Sequence, residues 1–254
     1  MQETTHDQHH VKHSLKDFTL TTPHAIIIGS VIIGLSIIAY GSIVRANGST
    51  FPQTDPLPKI LKTLGVNKND FTQCVNSGVK APLVAEAVED GVKAGVEGTP
   101  TTFILREKDG VLYTVANISG AQDKNLFTQA IEQALSETDP SRYEIFKGRE
   151  VDKQDVQEAA GPRNVYVVEY SDTECPFCIR LHPSLKEIRT EYADRISFVY
   201  RHFPLISIHP HAQKEAEMIS CVGELEGAEA MYGFIDAIFD YKLQNNVAYL
   251  PWGN

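Results

Sequence analysis

The chain has 254 residues, enough for one or two domains, and 42% hydrophobic with 22% charged residues is an ordinary globular composition that can bury a core. A formal net charge of −10 and a pI near 5.4 exclude the basic surface that phosphate binding requires. No nucleic-acid partner is expected.

Residues 1–24 form a polar tail carrying His6, His9, His10, His13 and His24. Clustered histidines could hold a metal, but nothing completes a definite ligand set, so a plain polar tail is favoured and no metal site is expected. Ala25 to Val44, AIIIGSVIIGLSIIAYGSIV, is an uncharged run of about 20 residues, enough to cross a bilayer core of roughly 30 Å. It predicts a transmembrane helix over 25–45. The rival is a cleavable signal peptide with Val44-Arg45-Ala46 as a loose cleavage site; the apolar run and its leader are longer than such peptides use. Lys12, Lys16, Asp17 and Arg45 barely discriminate orientation. The cysteines do better, since a cycling dithiol fits an oxidising compartment. The N-terminus is therefore expected in the cytoplasm and the remainder of the chain outside it.

Residues 46–57 read as a linker rich in turn formers, followed by a brief helix from Leu57 to Leu64. Asn69-Asp70 can cap a helix over DFTQCVNSGV, and Pro82 to Ala94 places Leu83, Val84, Ala87, Val88 and Val92 at helical spacing. EGTPTTFIL, Glu97 to Leu105, is a turn feeding a strand; Lys108-Asp109-Gly110 then turns the chain into VLYTVANI, making a hairpin. Asp123 opens a helix to Leu135 whose apolar face is Leu126, Phe127, Ala130, Ile131 and Leu135. Residues 138–163 read as a linker with a short strand at Tyr143 to Phe146. Asn164 to Tyr170 is a buried-type strand leading into a helix that reaches about Tyr192. A further strand, Ile196 to Tyr200, precedes helices over His211 to Val222 and Ala228 to Tyr241, and no internal repeat is present.

Cys175-Pro176-Phe177-Cys178 sits at the strand-to-helix junction. Free amides and the positive dipole end of a helix N-terminus stabilise a thiolate, which makes Cys175 the nucleophile; Cys178, one turn inward, is placed to resolve a mixed disulfide. The alternative is half a zinc site, but zinc wants a second pair at matched spacing, and Cys74 and Cys221 are isolated singles.

VVEYSDTECPFCIRLHP resembles the active-site segment of DsbA-like disulfide oxidoreductases, which have a thioredoxin fold. The resemblance implies an α/β domain with an inserted helical subdomain, here preceded by one transmembrane helix. It makes Glu169 the family's buried acid, which influences thiol proton transfer, against the alternative of a surface strand residue. Pro183 matches the proline inside the active-site helix, and Arg201 to Leu205, RHFPL, matches a segment read as structural. Such sites also need a cis-proline loop against the dithiol. Glu97 to Phe103 resembles it, with Pro100 as the cis residue, and Thr99, Pro100, Pro176 and Phe177 become the substrate-contacting positions.

That loop lies about 75 residues before the dithiol, whereas the family places it after. Residues 58–137 then read as the family's C-terminal half and 164–254 as its N-terminal half: a circularly permuted domain joined through 138–163. Permutation is tolerable where the old ends lie close and the new break falls in a loop. Relatives with a second disulfide carry cysteines matching Cys74 and Cys221, which implies a structural Cys74–Cys221 disulfide; the alternative is two buried free thiols.

The function implied is a membrane-anchored, extracytoplasmic thiol-disulfide oxidoreductase without a cofactor. Its partners would be reduced or misoxidised substrate proteins and a membrane redox protein that resets the dithiol. A reductase or isomerase of the same fold is the near alternative, and an idle anchored peptide-binding module the distant one. There is no GxSxG, Walker-type loop or HExxH for other chemistries.

Overall fold

The computed structural model describes residues 55–151 and 164–252. Three helices come first: α1 (Leu57–Thr63), α2 (Lys68–Ser77) and α3 (Ala81–Ala94). A hairpin of β1 (Thr101–Lys108) and β2 (Val111–Ser119) and helix α4 (Lys124–Ser136) follow. Then come β3 (Val165–Ser171), α5 (Pro176–Glu191), β4 (Ser197–His202) and α6 (Ala212–Asn245). The expected tail 1–24, the span 25–45, the linker as far as residue 54 and the second linker from 152 to 163 lie outside the described residues. Among the described residues no helix is long and apolar enough to cross a membrane.

The sheet runs β2-β1-β3-β4. β1 is antiparallel to β2 and to β3, pairing Thr101–Arg106 with Tyr170–Val165, while β3 and β4 are parallel. The segment before the linker and the segment after it therefore share one sheet, joined through its two central strands. Period-two alternation divides the strand side chains between two cores. Ile104, Val167 and Phe198 pack with Phe127 and Ile131 of α4, Leu181 and Leu185 of α5, and α6. Phe103, Leu105, Val168, Tyr170 and Val199 pack on the other face with Phe146 and Phe203.

Several local expectations are corrected. Asn67, not Asn69-Asp70, caps α2: its side chain accepts from the Asn69 and Asp70 amides. On α4 the buried stripe is Phe127, Ala130, Ile131 and Ala134, and Leu126 faces outward, because the helix lies on the sheet along the i, i+3, i+4, i+7 line. Leu83 and Val92 of α3 are likewise exposed. The short strand at Tyr143–Phe146 is a single bridge, Tyr113 to Ile145, that seats Phe146 in the second core. The last two predicted helices are both present in α6, which breaks between them at Gly227, whose backbone is non-helical at φ 82 and ψ −176.

RHFPL has a structural role in packing α3 to the sheet. Arg201 is fully buried and donates to Asp90 of α3 at 2.8 Å, to the Tyr170 hydroxyl at 2.9 Å and to the carbonyls of Arg149 and Glu150 at 3.1 and 3.0 Å. Asp90 also accepts from the Tyr170 hydroxyl and the Arg149 amide. Close approach is possible because residue 91 is glycine: a Cβ there would stand 2.5 Å from the Phe203 ring. Arg201→Met strands Asp90 without its cation, so urea unfolding should show a loss of about 3–5 kcal/mol; a change under 1 kcal/mol would refute this account.

Candidate active site

The dithiol stands where β3 feeds α5. Cys175 is the N-cap residue of α5, with extended backbone at φ −66 and ψ 121, and Pro176 opens the helix where its missing amide costs no hydrogen bond. The approach segment is held by its own acids. The Asp172 carbonyl accepts from the Cys175 amide at 3.1 Å, and its carboxylate accepts from the amides of Glu174 and Leu205 and meets His209 Nδ1 at 2.7 Å. Glu174 accepts from the amides of His211 and Ala212 at the start of α6. Buried Lys242 donates to the Thr173 carbonyl at 2.8 Å and pairs with buried Glu215. The loop is fixed on all sides.

Against it lies the loop before β1. The Thr99–Pro100 peptide is cis, and the Pro100 carbonyl is bonded by the Gly120 amide at 2.8 Å. Cys175 Sγ, as a thiol, donates to the Thr99 carbonyl at 3.3 Å across 76 positions of sequence. Thr99 is half-buried and Pro100 buried, while Pro176 and Phe177 are exposed beside the dithiol, Phe177 under the Arg180 guanidinium. The structure thus gathers Thr99, Pro100, Pro176 and Phe177 around Cys175.

The two sulfurs differ sharply. A hydrogen bond from the Cys178 thiol, aided by contact with Thr99 and by the Cys178 and Phe177 amides, pulls Cys175 down to about 5 despite partial burial. Burial, and then the negative charge of Cys175, push Cys178 well above the ordinary thiol range. The arrangement presents one stable thiolate and one masked thiol. Both are free thiols here, whereas Cys74 and Cys221 are bonded at 2.02 Å and tie α2 to α6.

Glu169 lies on β3 beneath α5, fully buried rather than on the surface, and burial raises its pKa. Its cross-strand neighbours are Thr102 on β1 and Tyr200 on β4. Ser171 sits beside both acid and phenol, yet the Glu169 Oε1, Ser171, Tyr200 and Thr102 oxygens make no hydrogen bond of ordinary geometry. Pro183 lies inside α5. Among the described residues no His, Cys, Asp and Glu side chains group as metal ligands.

The family described as Thioredoxin matches residues 159–248, from just before β3 to just past the end of α6. The match holds the dithiol, and the cis-proline hairpin completes the sheet from outside it. This is a thioredoxin-fold domain. Among curated proteins, the Na+/H+ antiporter NhaA 1 of Salinispora arenicola is 44% identical over 66 residues, 25% of this chain and 10% of that protein. NhaA 1 of Mycolicibacterium vanbaalenii is 37% identical over 78 residues, 31% of this chain and 12% of that protein. The chain spans about a tenth of the length of these relatives.

Missed in the sequence were Asp172 and Glu174 as loop anchors and His182, which contacts Asp236 at 3.0 Å. Helical spacing was the available signal for His182: it lies four positions after Cys178 and so on the same face of the helix.

Proposed function

We propose that the chain is a DsbA-like, membrane-anchored, extracytoplasmic thiol-disulfide oxidoreductase that oxidises cysteines of substrate proteins. The observation that carries this reading is Cys175 at the N-terminus of α5, touching the Thr99 carbonyl of the cis-proline loop. In the oxidised enzyme, a substrate thiolate attacks Cys175 Sγ, the Cys175–Cys178 bond breaks, and the electron pair leaves on Cys178, which takes a proton. A second substrate thiolate then attacks the substrate sulfur, and Cys175 departs as a thiolate. The substrate gains a disulfide and the enzyme holds two electrons for a membrane partner to remove. Thr99 and Pro100 offer backbone to an extended substrate, with Pro176 and Phe177 flanking it.

The oxidising direction draws support from the thiolate. A stable leaving thiolate favours the reduced enzyme, and a value of about 5 for Cys175 falls between thioredoxin at about 7 and DsbA at about 3.5. A reductase or isomerase is the second reading. The apolar run at 25–45 supports the anchor, and the likeness to stretches of Na+/H+ antiporters supports a membrane setting.

Circular permutation remains part of the proposal. It is supported by the shared sheet, by the disulfide joining α2 to α6, and by Leu57 and Leu250 belonging to one core.

The test combines reoxidation of a reduced, unfolded substrate, insulin reduction, and equilibrium with glutathione. Fast reoxidation, slow insulin reduction and a potential above about −200 mV are expected. A potential near −270 mV with brisk insulin reduction would make it a reductase, and inactivity in both assays would leave a peptide-binding module.

A further inference from the structure

The chain enters the dithiol through a tight turn. The Asp172 carbonyl accepts from the Cys175 amide at 3.1 Å, which closes a β-turn with Thr173 and Glu174 at its centre. The Thr173 carbonyl and the Glu174 amide are the two ends of the one peptide group between those central residues. Both ends are held: Lys242 Nζ donates to the carbonyl at 2.8 Å, and the amide donates to Asp172 Oδ1 at 2.8 Å. Thr173, Glu174 and Lys242 are all buried.

Lys242 reaches this carbonyl from the last turn of α6, paired with Glu215 of the first turn. The two are 27 positions apart, which in one straight helix would separate them by roughly 40 Å. They meet because the break at Gly227 brings the two halves of α6 together. Glu215 also accepts from the Thr173 hydroxyl and, at 2.7 Å, from the Leu250 amide. Apolar residues of similar volume often stabilise a core as well as a buried ion pair does. What they could not do is donate to the Thr173 carbonyl.

We propose that Lys242, its direction fixed by Glu215, is a positioning residue for Cys175: its hydrogen bond keeps the 173–174 peptide from turning over and so holds the sulfur at the Thr99 carbonyl and the N-terminus of α5. The proposal rests on the dithiol reading above. Without that donor the Thr173 carbonyl loses its partner on α6, and rotation of the peptide relieves the loss. Rotation leads toward a type II turn, with positive φ at Glu174, and pulls the amide off Asp172. Among the described residues positive φ outside glycine is confined to Asp109 and Asn246, so the present turn is not of that type. Cys175 follows directly, and both attack on its sulfur and its departure as a thiolate depend on where that sulfur stands.

The test compares the reduced full-length chain as wild type, Lys242→Met and Arg201→Met, the last a control for stability loss that acts on the α3 side of the sheet. In Lys242→Met the Glu174 amide should exchange with deuterium about tenfold faster relative to the α5 amides, and the Cys175 midpoint should rise by about one pH unit. Arg201→Met should leave both at their wild-type values. If Lys242→Met does not fold, Lys242→Met with Glu215→Leu replaces the whole pair by apolar side chains and is read in the same way. A folded variant in which either the Glu174 amide or the Cys175 midpoint stays in place overturns the proposal, and so do equal shifts in Arg201→Met. Wild type that fails to exchange with glutathione would defeat the oxidoreductase reading instead, and the Glu174 amide would still judge the clamp.

Discussion

Reduced wild-type protein titrated by its ultraviolet thiolate absorbance should show a first midpoint near pH 5, the value to which the Cys178 thiol and the helix amides pull Cys175. At pH 7 that sulfur is about 99% thiolate, against a few per cent for a free cysteine. Alkylation by iodoacetamide should follow the same curve, falling about tenfold per pH unit below the midpoint. Cys175→Ser should abolish both the titration and disulfide exchange. Cys178→Ser should retain the reactive sulfur and stall as a mixed disulfide with a disulfide-bearing substrate.

The sign of the stability effect follows from the depressed folded value. Stabilisation of the reduced form is complete above the unfolded thiol range and is lost as pH falls through about 5. The oxidised form has no such thiolate, so the stability difference between the two forms should change in reduced protein's disfavour between about pH 8.5 and pH 5. A first midpoint near pH 8.5 would mean that the helix terminus and Cys178 do not stabilise Cys175, and the oxidising direction would lose its support.

Removing the other cysteine pair should produce a large loss of stability. Cys74 and Cys221 are 147 positions apart, and a crosslink over so long a loop removes much of the unfolded chain's freedom. Cys74→Ala with Cys221→Ala should cost about 4 kcal/mol in urea unfolding, with a steeper denaturant dependence because the uncrosslinked chain unfolds further. Cys221 is fully buried, so its truncation adds a small packing loss. Recovery of both cysteines as free thiols from unreduced protein, or a cost below about 1 kcal/mol, would contradict the structure at this point.

Elements with a strong local cause were legible. The hairpin could be read because Asp109-Gly110 supplies two consecutive residues at positive φ between β-rich runs. α3, α4 and α5 could be read from helical spacing, and the strand before the cysteines from its unbroken apolar run. The capping of α2 was misjudged because Asn67 and Asn69 are equally good caps in isolation, and the choice depends on where Phe71 and Val75 must bury. Leu126 was assigned to the core because its hydrophobicity cannot reveal which side of the helix the sheet will occupy.

In the site, the chemistry of Cys175 and Cys178 follows from two residue types at a strand-to-helix junction, and the chain determines that much by itself. So, too, does the uncharged run at 25–45, whose length suits a bilayer. The partners of these residues were decided only by the tertiary structure. Sequence spacing cannot bring Thr99 within 3.3 Å of a sulfur 76 positions later, nor bury Glu169 among hydroxyls while His182 turns to Asp236. Those contacts run between separate strands and helices, and long-range packing rather than local preference sets which side chains meet and how far each is shielded from water.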